Sequence, residues 1–176
     1  MPATDPQQHA SGLRVGHGYD LHRLEPRPPQ GQGRPLVVGG VALEHDRGPI
    51  SHSDGDALLH AVTDALLGAL ALPDIGSLFP NDDPRNESAD SAVFVEEAVR
   101  RVRDAGFAPI NLDTTVILER PKIGPHREAI RANLARLLGV EIGRVNVKGK
   151  THERVDAVGE GRAIETHAVA LLAPTA

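Results

Sequence analysis

The stretch HSDGDALLHAVTDALLGALAL, from His52 to Leu72, constrains the fold more than any other part of the chain. Leu58, Leu59, Val62, Leu66, Leu67 and Leu70 recur at helical spacing, so a helix here has a wide apolar face to bury. Ser53 or Asp54 can cap its start, and Pro73 ends it. A second helix fits residues 88–105. Val95, Val99 and Val102 form its stripe, Glu96/Arg100 and Glu97/Arg101 are favourable pairs, and Gly106 is the stop. Pro125 opens a third helix that runs to about Leu138, with Gly139 after it.

The rest of the pattern is extended. Leu13 to Asp20, LVVGGVAL (36–43), LDTTVIL (112–118), RVNVKGK (144–150) and IETHAVALL (164–172) read as strands, and PRPPQGQGRP (26–35) as a loop. The order is strand, hairpin, helix, helix, strand, helix, strand, strand. It predicts an α+β fold with helices on one face of a sheet. The other face then carries apolar side chains, either Ala168, Ala170 and Leu172 or the alternate set, that a second copy of the chain can cover.

Length and composition exclude several classes. With 176 residues the chain suits one domain, expected over 13–176 behind a disordered tail over 1–12. A net charge of −5 with no Lys/Arg run argues against nucleic-acid binding. No apolar run approaches the roughly 18 residues of a membrane span, so a cytoplasmic location is expected by default. Cysteine is absent, so any transition metal must be held by histidine and carboxylate.

Several clusters carry candidate chemistry. In GHGYDLHRL (16–24), Asp20 and His22 lie two apart, which puts both on one side of an extended chain. They are zinc ligands or a surface ion pair. His60 lies in the first turns of the long helix, either as a metal ligand or as a core histidine bonded to Asp64, four residues on. His52 and Ser53 stand at the expected helix N-terminus, where anions are favoured. Asp54 and Asp56 there read as caps. Asp74 beside Gly76 suits sugar hydroxyls, or is a plain acidic loop. The turn LERPKIGPH (118–126) offers backbone groups to a base or phosphate, or is strand-to-helix punctuation. In KGKTHERVDAVGEG (148–161), Lys148 and Lys150 can meet phosphate, Thr151 can donate a hydrogen bond, and Glu153 is a hard oxygen ligand for Mg²⁺. The P-loop spacing is absent, as are the G-x-S-x-G, H-E-x-x-H and G-x-G-x-x-G motifs.

Taken in order, GHGYDLHRL, SHSDGDALLHAVTDALLGALALPDIGSLFPNDDP and PKIGPH closely resemble the 2-C-methyl-D-erythritol 2,4-cyclodiphosphate synthases, across roughly residues 13 to 173. The resemblance implies an α+β fold with a four-stranded sheet and helices on one face. It implies a homotrimer whose sheets face a central cavity and whose active sites lie between subunits. It implies one Zn²⁺ per subunit on Asp20, His22 and His60, and Mg²⁺ or Mn²⁺ on Glu153 with the substrate phosphates. It assigns His52 and Thr151 to transition-state stabilisation and Ser53 to phosphate. Asp74, Ile75 and Gly76 form the sugar loop, and Phe79, Pro80, Asn81, Asp82 and Asp83 the cover of the erythritol part. Leu118, Glu119, Arg120, Pro121, Lys122, Ile123 and Gly124 form the cytidine pocket.

The implied reaction converts 4-diphosphocytidyl-2-C-methyl-D-erythritol 2-phosphate to the cyclic diphosphate with release of CMP. The nucleophile then belongs to the substrate. A zinc phosphodiesterase and a binding module without turnover are the rival readings. Two places depart from the common pattern. Lys150 and His152 stand where hydroxyl residues are usual. Glu160 and Arg162 are transposed, and Ala157 replaces an aromatic, in the region that lines the cavity where members hold isoprenoid diphosphates.

Overall fold

The computed structural model describes residues 12–80, 83 and 87–175. The expected tail lies outside them except for Gly12, as do Asn81 and Asp82. The strands are β1 (Arg14–Pro26), β2 (Leu36–Val38), β3 (Val41–Leu43), β4 (Arg47–Pro49), β5 (Phe107–Ile117), β6 (Val145–Lys150) and β7 (Ala163–Pro174). The helices are α1 (Ala57–Gly68), α2 (Ile75–Leu78), α3 (Ala92–Asp104), α4 (Arg127–Leu138) and α5 (Asp156–Gly159).

The main sheet has five strands, in the order β4-β1-β7-β5-β6, rather than the four expected. The extra one arises because β1 outruns β7. Residues 14–23 pair with β7, and Leu24, Glu25 and Pro26 pair with the three-residue β4. All neighbours are antiparallel except β5 and β6, which run parallel with α4 as the crossover between them. The last strand, β7, inserts between β1 and β5, so the two final strands are not neighbours. The segments β2 and β3 form a separate hairpin.

Helix α1 is shorter than its apolar run. It starts at Ala57, where the Asp56 carboxylate accepts from the Leu59 N–H at 3.1 Å, and not at Ser53 or Asp54. The same carboxylate accepts from the N–H groups of Gly39 and Gly40 at 2.9 and 2.6 Å. It therefore pins the β2–β3 hairpin to the helix start. Helix α3 keeps the expected valine stripe buried. Arg100 pairs with Glu97 and Asp104 instead of Glu96, and Arg101 pairs with Glu97. Gly139 ends α4 with φ of 70°, in the left-handed region that glycine enters most easily.

The two sheet faces differ. Ala168, Ala170 and Leu172 face the helices and are buried, together with Ile164, Leu112 and Val116. The alternate set is the open one: Val15, Tyr19, Leu21 and Val169 are exposed there. The question left by the sequence is thus decided by register, since a one-residue shift would exchange the faces.

Helix α1 packs on β1 backbone to backbone. A Cβ added to Gly16 would lie 1.8 Å from the Ala65 carbonyl oxygen, and one on Gly18 would lie 1.8 Å from that of Ala61. Ala61, Ala65 and Ala69 form the small-residue stripe that meets this strand, and all three are buried. Gly18→Ala is therefore expected to force backbone apart and to lower unfolding free energy by about 3 kcal/mol. Chemical denaturation would measure it, and parental stability in this variant would contradict the close approach.

Candidate active site

The glycine face of β1 also carries Asp20 and His22, two and four residues beyond Gly18. Because α1 lies directly on that face, His60 from its first turns reaches the same point. The Asp20 Oδ2 atom lies 3.1 Å from His22 Nε2 and 3.0 Å from His60 Nδ1. Among the described residues, these three form the only group of three or more possible ligands whose atoms lie within 4.8 Å of one another. All three residues are half-buried.

The remaining ring nitrogens are also engaged. His22 Nδ1 is 2.9 Å from the Gly55 carbonyl oxygen, which can only accept, so this nitrogen carries a proton and Nε2 is the one turned to Asp20. His60 Nε2 lies 2.9 Å from Ser91 Oγ and 3.2 Å from Ser53 Oγ. Asp64 is not the partner of His60. Its Oδ1 accepts instead from the Ile75 N–H at 2.8 Å and so anchors the sugar-loop candidate to α1.

A carboxylate and two imidazoles with oriented far nitrogens fit a divalent transition ion with one position left open. Without an ion the three groups hold one another. Burial would raise the Asp20 carboxyl, but hydrogen bonds and charge from His22 and His60 outweigh it and hold the group well below the usual carboxylate range. Burial opposes a charged His22, yet Asp20 and the Gly55 carbonyl pull its imidazole up.

A cavity of about 650 Å³ opens over the triad. Ile50, Ser51, His52, Ser53, Ile75, Gly76, Phe79 and Phe94 complete its wall. His52 is exposed and lies ahead of α1 on the loop before Asp56, not at the helix N-terminus. Arg34 holds that loop, donating to the Ser51 and His52 carbonyls at 3.0 and 3.4 Å and to Ser88 Oγ at 3.0 Å. Exposed Asp74 caps α2 through the Ser77 N–H, and hydrogen bonds from the Ser77 side chain and then from its N–H lower the Asp74 pKa. Phe79 and Phe94 sit with ring centroids 4.5 Å apart. Pro80 is exposed and Asp83 half-buried.

The remaining candidates lie elsewhere. Leu118, Lys122, Ile123, Gly124, Gly149, Lys150, Thr151 and Glu153 border a second groove of about 280 Å³. Glu119 lies 4.0 Å from Lys122, and neither Arg120 nor Pro121 borders the groove. Gly149 leaves room for Ile123, since a Cβ there would lie 2.9 Å from that side chain. Thr151 Oγ1 donates to Glu153 at 3.0 Å, and His152 pairs with Asp156 at 2.8 Å. Glu153, Arg154 and Asp156 all have positive φ, a concentration of strained backbone beside the groove. Lys148 is taken up by Asp113 at 2.6 Å. His52 and Thr151 therefore border different hollows of one chain.

Ser91, Phe94, Arg34 and the Gly55 carbonyl are the contributors that the sequence did not disclose. Only the Asp90-Ser91 pair before a helical stripe was a local signal, and it reads as capping.

A sequence profile described as the YgbB family matches residues 13–173. The chain is 57% identical to the chloroplastic 2-C-methyl-D-erythritol 2,4-cyclodiphosphate synthase of Arabidopsis thaliana over 91% of its own length and 67% of that protein. It is 53% identical to the enzyme of that name from Chromobacterium violaceum, over 92% of this chain and 98% of the other. Its fold superposes on the CDP complex of Plasmodium falciparum IspF with a TM-score of 0.81 at 36% identity, covering 95% and 99% of the two chains.

The pH dependence of the triad has two opposite signs. Asp20, with a depressed folded pKa, stabilises the ion-free chain above its unfolded value of about 3.9, and this is lost as pH falls through the folded value. His22 is raised, so its contribution is complete below about 6.5 and is lost as pH rises through the folded value. A ligating imidazole must be neutral, so metal affinity moves the other way. Between about pH 6 and 9 the ion-free melting temperature should fall from the His22 contribution while affinity for a divalent transition ion rises. Chelator competition across that range checks the second trend, and a flat affinity would remove His22 from the ligand set.

Proposed function

The chain belongs to the YgbB family, the 2-C-methyl-D-erythritol 2,4-cyclodiphosphate synthases, and on that premise we propose how its own residues carry the reaction. It is a cyclodiphosphate synthase of the methylerythritol phosphate route to isoprenoids, a phosphorus–oxygen lyase. The substrate assigned to it is 4-diphosphocytidyl-2-C-methyl-D-erythritol 2-phosphate. An oxygen of the 2-phosphate attacks the β-phosphorus, the bond from that phosphorus to the bridging oxygen breaks, and CMP leaves with that oxygen.

The observation that carries this reading is the convergence of Asp20, His22 and His60 beside His52, Ile75 and Gly76 in one cavity. The donor set fits Zn²⁺, which when bound polarises and orients a phosphate oxygen. Around it, Ser53 and His52 offer hydrogen bonds to phosphate. Asp74 receives the erythritol hydroxyls, with Ile75 and Gly76 exposing backbone beside it. Phe79 and the segment through Pro80, Asn81, Asp82 and Asp83 cover the sugar and keep water from the phosphorus. The protein's task is to bring two mutually repelling phosphates into line, so positioning and charge carry the catalysis.

The groove bordered by Leu118, Lys122, Ile123 and Gly124 is assigned to the cytidine, largely through backbone groups, with Glu119, Arg120 and Pro121 outside its lining. Thr151 meets the diphosphate, Lys150 adds a cation, and His152 stays paired with Asp156 beside it. Glu153 supplies the single carboxylate that Mg²⁺ or Mn²⁺ needs when phosphates provide its other ligands.

The two hollows of one chain and the exposed sheet face support one assembly. In a homotrimer with sheets turned inward, the groove of one subunit would complete the cavity of its neighbour. Val15, Tyr19, Leu21 and Val169 would then be covered. The Arg162 guanidinium is already held by Glu160 at 2.5 Å, so an isoprenoid diphosphate in the central cavity would have to compete with that carboxylate. Among the described residues no helix is long and apolar enough to cross a membrane. The Arabidopsis relative is named chloroplastic, and a cytoplasmic site is our assignment for this chain.

Phosphorus NMR of the protein with this substrate tests the reading. Cyclic diphosphate and CMP are expected, at a native mass of three chains. A linear phosphate would instead identify a hydrolase, and an unchanged spectrum a binding protein. His60→Ala should lose the ion and reduce turnover by about a thousandfold or more, as for loss of an electrostatic stabiliser.

A further inference from the structure

The one candidate metal ligand on α1, His60, can bind an ion only if the correct ring nitrogen is bare, and the structure contains a device that decides this. We infer that Ser91 and Asp54 form a proton-directing relay that fixes the tautomer and aim of His60, making them positioning residues of the metal centre. The inference rests on reading Asp20, His22 and His60 as that centre.

His60 Nδ1 faces Asp20, on the ion side, so the other nitrogen must carry the proton when an ion is bound. That nitrogen, Nε2, lies 2.9 Å from Ser91 Oγ. Ser91 Oγ in turn lies 2.5 Å from Asp54 Oδ1. An ionised carboxylate only accepts, so the single hydroxyl proton of Ser91 goes to Asp54. Its oxygen is then left to accept from His60 Nε2, so that Nδ1, which faces Asp20 in the ion-free chain, is the nitrogen whose lone pair an ion would take.

The carboxylate is itself held in place. Asp54 Oδ2 accepts from the Ser91 N–H at 3.1 Å, and Oδ1 accepts from the Asp56 N–H at 3.1 Å. Ser91 is completely buried, so water has no access to replace its hydroxyl. It occupies the N-cap position of α3, yet its side chain makes no capping bond there. The ordinary use of a serine at that position is given up for the contact to His60. Ser53 Oγ, 3.2 Å from the same nitrogen, cannot set the direction alone. It also accepts from the Gly55 N–H and lies 3.3 Å from Ser51 Oγ, either of which can share its proton.

Zinc affinity, measured by chelator competition on the ion-free full chain, separates this role from simple packing. The parent should bind one zinc per chain, and Ser91→Ala should bind it about 10- to 100-fold more weakly. Asp54→Asn reads the relay from its other end, should Ser91→Ala not fold. Its amide can donate to Ser91, turn the hydroxyl proton toward His60 and weaken zinc binding over the same range. Zinc affinity within twofold of the parent in a folded Ser91→Ala or Asp54→Asn overturns the relay, even if the melting temperature falls. A parent that binds no zinc would overturn the metal-centre reading itself, and the relay with it.

Discussion

The approach of α1 to β1 is the constraint on which the rest depends. Two glycines on one face of the strand and an alanine stripe on the helix let the backbones meet with no side chain between them. Every larger residue on either surface would raise the helix off the sheet. Asp20 and His22 continue the glycine face, so the contact that packs the core also sets the distance from these groups to His60. The site is therefore as rigid as the core, which is what a three-ligand ion site needs.

Around this contact the polar groups act as ties between elements. Asp56 joins the β2–β3 hairpin to α1, Asp64 joins the 74–76 loop to the same helix, and Arg34 holds the loop that presents His52. Each is a buried or half-buried charge satisfied largely by backbone groups, so each fixes chain path more than it adds attraction. For Asp56, burial pushes the carboxyl up while the Gly40, Gly39 and Leu59 N–H groups act against that rise. The groups proposed to meet substrate, by contrast, are left exposed: His52, Asp74, Lys150 and Glu153.

Much of the site was legible because its residues lie in short strings whose spacing has a direct geometric meaning. Asp20 and His22 had to share a side of an extended chain, and the long apolar helix had to carry His60 into the core. What failed was assignment of partners. Asp64 lies four residues from His60 and was the natural candidate, but its carboxylate is used by the backbone of Ile75. The true partner, Ser91, is 31 residues away in sequence. Helical periodicity reports only neighbours on one helix, and no local pattern records a contact between the start of α3 and α1.

The sequence by itself determined the α+β class, the identity of the metal-ligand candidates and the chemistry open to a chain without cysteine. These follow from periodicity and from side-chain type, which are properties of the chain alone. Tertiary structure decided which sheet face is bare, that β4 extends the sheet, which cap starts α1, and that His52 and Thr151 border separate hollows. Those depend on register and on which distant backbone groups claim each carboxylate. They are settled only when elements far apart in the chain compete for the same partners.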